Sequence, residues 1–233
     1  MDRHLVIGNS SGIGAAITRK LVARQARVVG VSRSPSPLGP DGPKHLTRDV
    51  TDPEYVTDLE ALVAADGPFD SCIYCAGIGS ELDLDTLERE SRVFAVNLTA
   101  MIRTIEVLLP RWLDRRQGHF IGLSSLADVL VNPAAPSYSA SKAGMSTYLQ
   151  SLGLGLREHG VAVTNVRFGF VDTKMAKAPS TPMMMSAERA ADHVLGCLET
   201  RPLQLSVPKV TAAAVGAARW VQSVRVWTSR TVR

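Results

Sequence analysis

Hydrophobic residues along this chain fall in short runs that alternate with amphipathic segments. Several runs are apolar throughout, as in Val28-Val29-Gly30-Val31, which indicates strands of a parallel sheet covered on both faces. The predicted strands are 4–7, 27–31, 45–50, 69–75, 119–124, 161–168 and 203–207. The predicted helices, where apolar residues recur every three to four positions, are 12–24, 54–65, 84–109, 138–159 and 186–199. This alternation predicts an α/β fold: one domain with a doubly wound parallel sheet of about seven strands and helices on both faces.

A glycine-rich loop joins the first predicted strand to the first predicted helix. Small residues let a backbone turn sharply and approach a pyrophosphate, and the following helix N-terminus offers unpaired N–H groups to the anion. A glycine-rich loop alone is weak support for such a site, but its place between the first strand and the first helix favours a dinucleotide-binding, Rossmann-type domain over a tight structural turn. The candidate cofactor-binding residues here are Gly8, Ser10, Gly12, Ile13 and Gly14.

The end of the second predicted strand indicates which dinucleotide is preferred. Proteins that bind NAD often place a carboxylate there, whereas this chain has Ser32-Arg33-Ser34. A guanidinium at Arg33 suits a 2′-phosphate, with Ser32 or Ser10 adding hydroxyl contacts. The sequence therefore favours NADP(H) over NAD(H); the simpler alternative is that Arg33 is a solvated loop charge.

A tyrosine and a lysine lie one helical turn apart in Tyr138-Ser139-Ala140-Ser141-Lys142. A cation beside a phenol favours the ionised form and lowers the phenol pKa, so the pair predicts a proton-transfer group. Ser125 follows the predicted strand 119–124, at the sheet edge where ligands lie in such folds, and its hydroxyl is expected to face the same substrate. Each residue alone has an ordinary surface interpretation, and only the combination indicates catalysis.

With these motifs, the sequence resembles the short-chain dehydrogenase/reductase family over residues 4–208. Gly8, Gly12 and Gly14 match the cofactor glycines of the family, and Ser125, Tyr138 and Lys142 match its catalytic serine, tyrosine and lysine. The departures from the family pattern are Ile7, Cys75 and Phe168, which replace a threonine, an asparagine and a proline. Further matches are Asp49-Val50 at the adenine, Ala76-Gly77 beside the cofactor, Asn97 of the proton relay, and Gly169, Val171 and Thr173 in the loop at the nicotinamide end.

The resemblance implies a role for each catalytic residue. Ser125 would hydrogen-bond the oxygen of a carbonyl substrate, and Tyr138 would protonate it. Lys142 would lower the tyrosine pKa and bind the nicotinamide ribose, while Asn97 would hold a water that reloads the proton. The leading hypothesis is an NADPH-dependent reductase of ketones or aldehydes, reversible as an alcohol dehydrogenase. The alternatives are an NAD-linked alcohol dehydrogenase and a non-catalytic dinucleotide-binding regulator.

Composition restricts the remaining classes of function. The net charge of +4 comes without a dense basic tract, so no nucleic-acid partner is expected. An odd number of cysteines, Cys72, Cys75 and Cys197, indicates a reduced cytoplasmic protein. Neither the cysteines nor the five histidines have metal-ligand spacing, so no metal is expected. No unbroken apolar run is long enough to span a bilayer.

Two segments are expected to add to the catalytic domain of residues 1–208. Residues 174–199 would include a short substrate lid, in which Met183, Met184 and Met185 either line an apolar pocket or simply pack. Residues 209–233 form a basic tail in which positions 210–228 predict an amphipathic helix. Self-association as a homodimer or homotetramer is the favoured use of that helix, and peripheral contact with an anionic membrane is the alternative.

Overall fold

The computed structural model describes residues 2–36, 38–39, 41–175 and 184–228, except for the side chains of Arg225 and Thr228. Seven parallel strands form one sheet: β1 (Arg3–Ile7), β2 (Arg27–Ser32), β3 (His45–Thr47), β4 (Ser71–Tyr74), β5 (Gly118–Ser125), β6 (Val161–Phe168) and β9 (Gln204–Val207). Their order in the sheet is β3-β2-β1-β4-β5-β6-β9. The first half of the chain thus builds one side of the sheet outward from β1, and the second half builds the other. Two further short strands, β7 (Val171–Asp172) and β8 (Met185–Ser186), pair separately.

Helices cover both faces of this sheet, so the predicted single-domain α/β fold is confirmed. The helices are α1 (Gly12–Ala23), α2 (Tyr55–Asp66), α3 (Glu88–Phe94), α4 (Ala100–Arg115), α5 (Pro136–Gly155), α6 (Ala187–Thr200) and α7 (Lys209–Thr228). On one face of the sheet a large core cluster includes Tyr55 and Leu59 of α2, Met101 of α4 and Leu149 of α5. On the other face a second cluster joins α1 and α6 to the sheet.

The strand register brings the candidate site residues to one edge. Ile7 at the end of β1 pairs with Val31 of β2 and Tyr74 of β4, while Ser125 at the end of β5 pairs with Phe168 of β6. The segments that follow these strands therefore leave the sheet side by side at its carboxyl edge, where ligands bind in open α/β sheets.

The predicted helix 84–109 is wrong at both ends. Asp83 accepts hydrogen bonds from Asp85 N and Thr86 Oγ1, which form a turn, so the helix begins at Glu88. It then continues through the π-helical turn Ala95–Thr99, which joins α3 to α4, and past Pro110 to Arg115. Although proline cannot donate its backbone hydrogen bond, the extra turn buries Trp112, whose Nε1 donates to Phe69 O at 2.8 Å.

Helix Glu88–Arg115 is also the one described helix that is long and apolar enough to cross a membrane. Half of its most apolar window is buried inside the protein, and Ile105 and Leu108 are within the core cluster. We therefore interpret it as a core helix.

Other predicted boundaries differ by a few residues. The strand predicted at 45–50 ends at Thr47, and the strand predicted at 69–75 covers Ser71–Tyr74. The helix predicted at 138–159 begins earlier, with Pro136 in its first turn, and ends at Gly155. In the tail, α7 agrees with the predicted helix 210–228.

Candidate active site

Three glycines at the end of β1 allow very close backbone packing. Gly8 has φ +83°, and a Cβ there would lie 2.5 Å from Ala76 N. A Cβ on Gly14 would lie 2.2 Å from Gly8 O, because α1 starts directly against the loop. Gly12, with φ +53°, faces Thr173, whose Cγ2 would be 3.1 Å from an added Cβ. Only glycine satisfies these distances, and the result is a tight loop beneath an open helix end.

That helix end fits an anion. The N-cap residue Ser11 is exposed and extended, and its side chain makes no capping hydrogen bond among the described residues. The first turn of α1 carries no acidic residue, so its N–H groups and partial positive charge are not neutralised by a side chain of that turn. The glycine loop and α1 therefore fit the pyrophosphate of a dinucleotide.

The predicted adenine end contains a carboxylate held between two arginines. Asp49 Oδ2 lies 3.9 Å from Arg33 Nε and 3.1 Å from Arg92 Nη2. Burial works to raise the pKa of Asp49, but the hydrogen bonds from Thr51 and the charges of Arg92 and Arg33 together lower it. Arg33 is 61% exposed, so its guanidinium is accessible to a ligand despite this ion pair. The buried hydroxyl of Ser32, in contrast, donates to Ser34 O at 2.9 Å and shapes the loop.

Lys142 lies in the interior of the site and is only 4% exposed. Its Nζ donates to Leu123 O at 2.7 Å, and an added Cβ on Gly77 would lie 3.6 Å from that nitrogen. Burial lowers the pKa of Lys142 to about 8, and the negative forms of Cys75 and Asp128 oppose this effect. The ammonium is therefore anchored to β5 while it faces the segment that follows β4.

Tyr138 is a half-buried residue in the first turns of α5 and is packed beside Gly79. Burial raises its pKa, a hydrogen bond with Ser125 lowers it, and the charge of Asp128 raises it. Burial outweighs the other effects, so the predicted lowering of this pKa by Lys142 is not seen in this structure. The link between Tyr138 and Ser125 does bring the two hydroxyls together, as the spacing predicts. Ser125 Oγ also accepts from Ala127 N at 3.1 Å.

Asn97 is fully buried, and its amide is occupied by protein groups. Its Oδ1 accepts from Ile78 N at 2.8 Å, and its Nδ2 donates to Ile78 O at 3.0 Å and to Ser141 Oγ at 3.0 Å. The side chain thus joins the segment after β4 to the middle of α5, next to Lys142. Asn97 lies in a π-helical turn, Ala95–Thr99, between α3 and α4.

The loop after β6 closes the other side of the cleft. Gly169 N donates to Val207 O at 2.9 Å, Val171 is buried, and Thr173 faces Gly12. Phe168, which replaces the expected proline, is 4% exposed and packs into the core. The phenylalanine side chain at this position therefore fills the core beside the loop.

Sequence reasoning missed several residues of this site. Arg92 shares Asp49 with Arg33, and Met175 lies near Gly77 and Gly79, with its Cε 3.8 Å from an added Cβ on Gly77. Asp128 influences both Tyr138 and Lys142. No motif marks these side chains, because they meet the site through the tertiary structure.

The predicted lid is only partly described. Residues 176–183, including Met183, lie outside the described residues. Met184 is half-buried and Met185 is in β8. Helix α6, capped by Ser186, which accepts from Arg189 N at 3.2 Å, packs into the core with Ala190 and Val194 buried.

Two of the three thiols, Cys72 and Cys197, are buried, and Cys75 is half-buried. Cys72 is buried in β4, and burial raises the pKa of both Cys72 and Cys75. Cys75, directly after β4, is close enough to Lys142 for their charges to interact. The three cysteines are free thiols.

Comparison with known proteins identifies the family. The sequence model of the family described as "short chain dehydrogenase" matches residues 3–183. The chain is also 33% identical, over 184 residues, to the 3-oxoacyl-[acyl-carrier-protein] reductase FabG of Vibrio cholerae, with 75% of each chain covered.

Solved structures agree with this assignment at the level of the fold. A short-chain dehydrogenase from Sphingobium yanoikuyae in complex with NADPH superposes with a TM-score of 0.83 at 23% identity, covering 100% of this chain and 98% of the other. A 4-hydroxyisoleucine dehydrogenase complexed with NADH gives a TM-score of 0.81 at 16% identity, covering 89% and 97%. Taken together with the site geometry, these matches show that the chain belongs to the short-chain dehydrogenase/reductase family and is an NAD(P)-dependent oxidoreductase of that type.

Proposed function

We propose that this protein is an NADPH-dependent reductase of ketones or aldehydes that also catalyses the reverse alcohol oxidation. The observation that carries the proposal is that Ser125 and Tyr138 are hydrogen-bonded, with Lys142 on the same helix as Tyr138, at the sheet edge where the glycine loop also lies. The Vibrio cholerae relative is by name a reductase of a 3-oxoacyl group, which is consistent with carbonyl reduction.

The chain's own residues supply binding and proton transfer. A bound nicotinamide dinucleotide supplies the hydride in this chemistry. Ser125 donates to the carbonyl oxygen of the substrate, and Tyr138 gives that oxygen a proton as negative charge develops on it. Tyr138 suits the donor role because a phenol is protonated at neutral pH, and burial raises its pKa further. Lys142 is the buried cation of the set and lies near Gly77, where we expect it to bind the nicotinamide ribose.

Asn97 has a supporting role in this proposal. Because its amide is occupied by Ile78 and Ser141, a relay water would contact its backbone carbonyl instead of its side chain. The side chain then holds the segment after β4 against α5, and so keeps Ala76 and Gly77 beside the cofactor.

The direct test is a screen of carbonyl compounds that follows the absorbance of NADPH. The panel should contain simple ketones, aldehydes, reducing sugars, steroids and a β-keto thioester. We expect at least one class to be reduced by the wild-type protein. A protein that binds NADPH with no turnover on any class would instead support the non-catalytic regulator.

For the coenzyme, Arg33→Ala should raise the KM for NADPH by about tenfold or more and leave the KM for NADH within about twofold. Loss of one charge-assisted phosphate contact costs roughly 1.5–3 kcal/mol, and NADH lacks that phosphate. Steady-state kinetics with both coenzymes measure this. Arg92→Ala is the companion variant: it also frees Asp49 from an ion pair, so a change that both variants share reports on Asp49 and not on the 2′-phosphate. Equal changes for the two coenzymes would favour the NAD-linked alternative.

We further propose a homodimer or homotetramer that works in the reducing cytoplasm on small carbonyl or alcohol substrates. The free thiols are consistent with that compartment. The exposed α7 supports association, because Trp220 and Trp227 are 80% and 86% exposed. Gln222 holds the helix to the body through both backbone groups of Val131.

Removing the tail tests the two uses of α7. A chain that ends at Pro208 should contain fewer subunits per particle by light scattering than the full chain if α7 mediates self-association. The full chain should then remain in the supernatant with vesicles of phosphatidylserine and phosphatidylcholine. Pelleting with these vesicles, lost on truncation and in high salt, would instead favour the peripheral membrane contact.

A further inference from the structure

A buried ion pair lies directly behind the predicted catalytic residues. Asp128 belongs to the single turn Leu126–Val129 that follows Ser125, and Arg167 is near the end of β6. Arg167 Nε donates to Asp128 Oδ2 at 2.7 Å, and its Nη2 donates to Oδ1 at 2.5 Å. The two side chains are only 13% and 3% exposed. Such a two-pronged pair is rigid, and neither charge can be removed alone without leaving its partner buried and unpaired.

Hydrogen bonds continue from this carboxylate to the catalytic helix. Ser146 Oγ donates to Asp128 Oδ2 at 2.6 Å, and Ser124 Oγ lies 2.8 Å from Ser146 Oγ. Ser124 Oγ also lies 3.2 Å from Lys142 O, and because Ser146 donates to Asp128, the single proton of Ser124 goes either to Ser146 Oγ or to Lys142 O. The chain of contacts therefore runs from β6 through the turn after Ser125 to the backbone of Lys142.

We propose that Asp128, held by Arg167, is a positioning residue that fixes Ser125, Tyr138 and Lys142 relative to one another. The proposal rests on the proposed function. Ser125 is three residues before Asp128 in the same turn, and Lys142 is one helical turn before Ser146. A carboxylate that binds both segments sets the distance between the end of β5 and α5.

The charge of Asp128 also acts on the proton donor. It raises the pKa of Tyr138 and of Lys142, and Arg167 stands directly beside it with the opposite charge. The charged residues of α7 whose side chains are described, Lys209 and Arg219, are exposed, although α7 packs against the turn. Among the described residues, Cys75 after β4 and Glu90 of α3, whose Oε2 accepts from Ser137 N at 3.2 Å, also lie close to these residues.

Two single substitutions separate positioning from a general effect on stability. Asp128→Asn leaves the Arg167 cation unpaired and should lower the pKa of Tyr138, whereas Arg167→Gln leaves the carboxylate unpaired and should raise it. We expect opposite displacements of about one pH unit, and a return to near the wild-type value in the double variant. The pH dependence of kcat should move in the same directions.

The titration is read without turnover, by NMR of protein labelled with ¹³C at the tyrosine ring. The chain has four tyrosines, and Tyr138→Phe assigns the signal. Asp52→Asn is the control, because Asp52 pairs with Arg48 on the β3 side of the sheet and should leave the signal unmoved. If no substrate is found in the screen, the NMR result still decides the role of Asp128, so the two failures are distinguishable.

A third variant tests the hydrogen-bond path without changing charge. Ser146→Ala should lower kcat several-fold, leave the KM for NADPH unchanged and leave the Tyr138 titration at its wild-type position. If the single charge variants do not fold, Ser146→Ala still tests the proposal. The double variant is then used beside it, because it buries no unpaired charge. Single-variant displacements in one direction, or an unchanged kcat in Ser146→Ala, would overturn the proposal.

Discussion

Replacing Tyr138 by phenylalanine is expected to lower kcat for carbonyl reduction by ~10²–10⁴-fold, the range that general acid catalysis supplies. The dissociation constant for NADPH should stay within about twofold of the wild-type value. The substitution removes only one hydroxyl, and the ring remains packed beside Gly79 in the first turns of α5. Steady-state rates and a fluorescence titration of NADPH binding measure the two quantities.

The matched control is Tyr148→Phe. Tyr148 is also half-buried on α5, but it packs against the large core cluster and interacts with Glu106 instead of Ser125. We expect it to change kcat by less than about threefold. Equal losses of turnover and NADPH affinity in Tyr138→Phe would show that Tyr138 is structural, and the proposed reaction would then lose its proton donor.

The elements that could be predicted from sequence are those that depend on neighbouring residues. The glycine loop is read from three glycines within seven positions, although only Gly14 meets another residue of the loop, whereas Gly8 and Gly12 meet Ala76 and Thr173. The placement of Tyr138 and Lys142 one turn apart on the same helix follows from their spacing alone. Both signals are local, so the fold and the position of the site follow from them.

The contacts that could not be predicted join distant parts of the chain. Asp128 and Arg167 are 39 residues apart, and Asn97 and Ser141 are 44 residues apart. The helix boundary at Pro110 was missed for the same reason, since burial of Trp112 outweighs a local helix-breaking signal. Burial also raises the pKa of Tyr138, opposite to the direction expected from a neighbouring cation, and nothing local in the sequence signals that burial.

The second large effect is expected for Gly14→Ala, in the first turn of α1. The added Cβ would lie 2.2 Å from Gly8 O and 2.9 Å from Gly8 C. These are backbone atoms of the loop that would hold the pyrophosphate, and they cannot move without opening it. Overpacking of this kind costs about 1–3 kcal/mol of folding free energy. Displacement of the loop should weaken NADPH binding by about 1.4 kcal/mol or more, which corresponds to a tenfold or greater loss of affinity.

Gly196→Ala provides the matched comparison, because Gly196 is also a helical glycine but has nothing within 4 Å of an added Cβ. There the same substitution should increase the free energy of unfolding by about 0.5–1 kcal/mol and leave NADPH binding unchanged, since alanine favours a helix that has room for it. Urea unfolding and NADPH titration should therefore show lower stability and affinity in Gly14→Ala, and higher stability with unchanged affinity in Gly196→Ala. Normal NADPH affinity in Gly14→Ala would contradict the assignment of this loop as the dinucleotide site. The added Cβ must displace the loop, and a displaced loop could not hold the pyrophosphate as before.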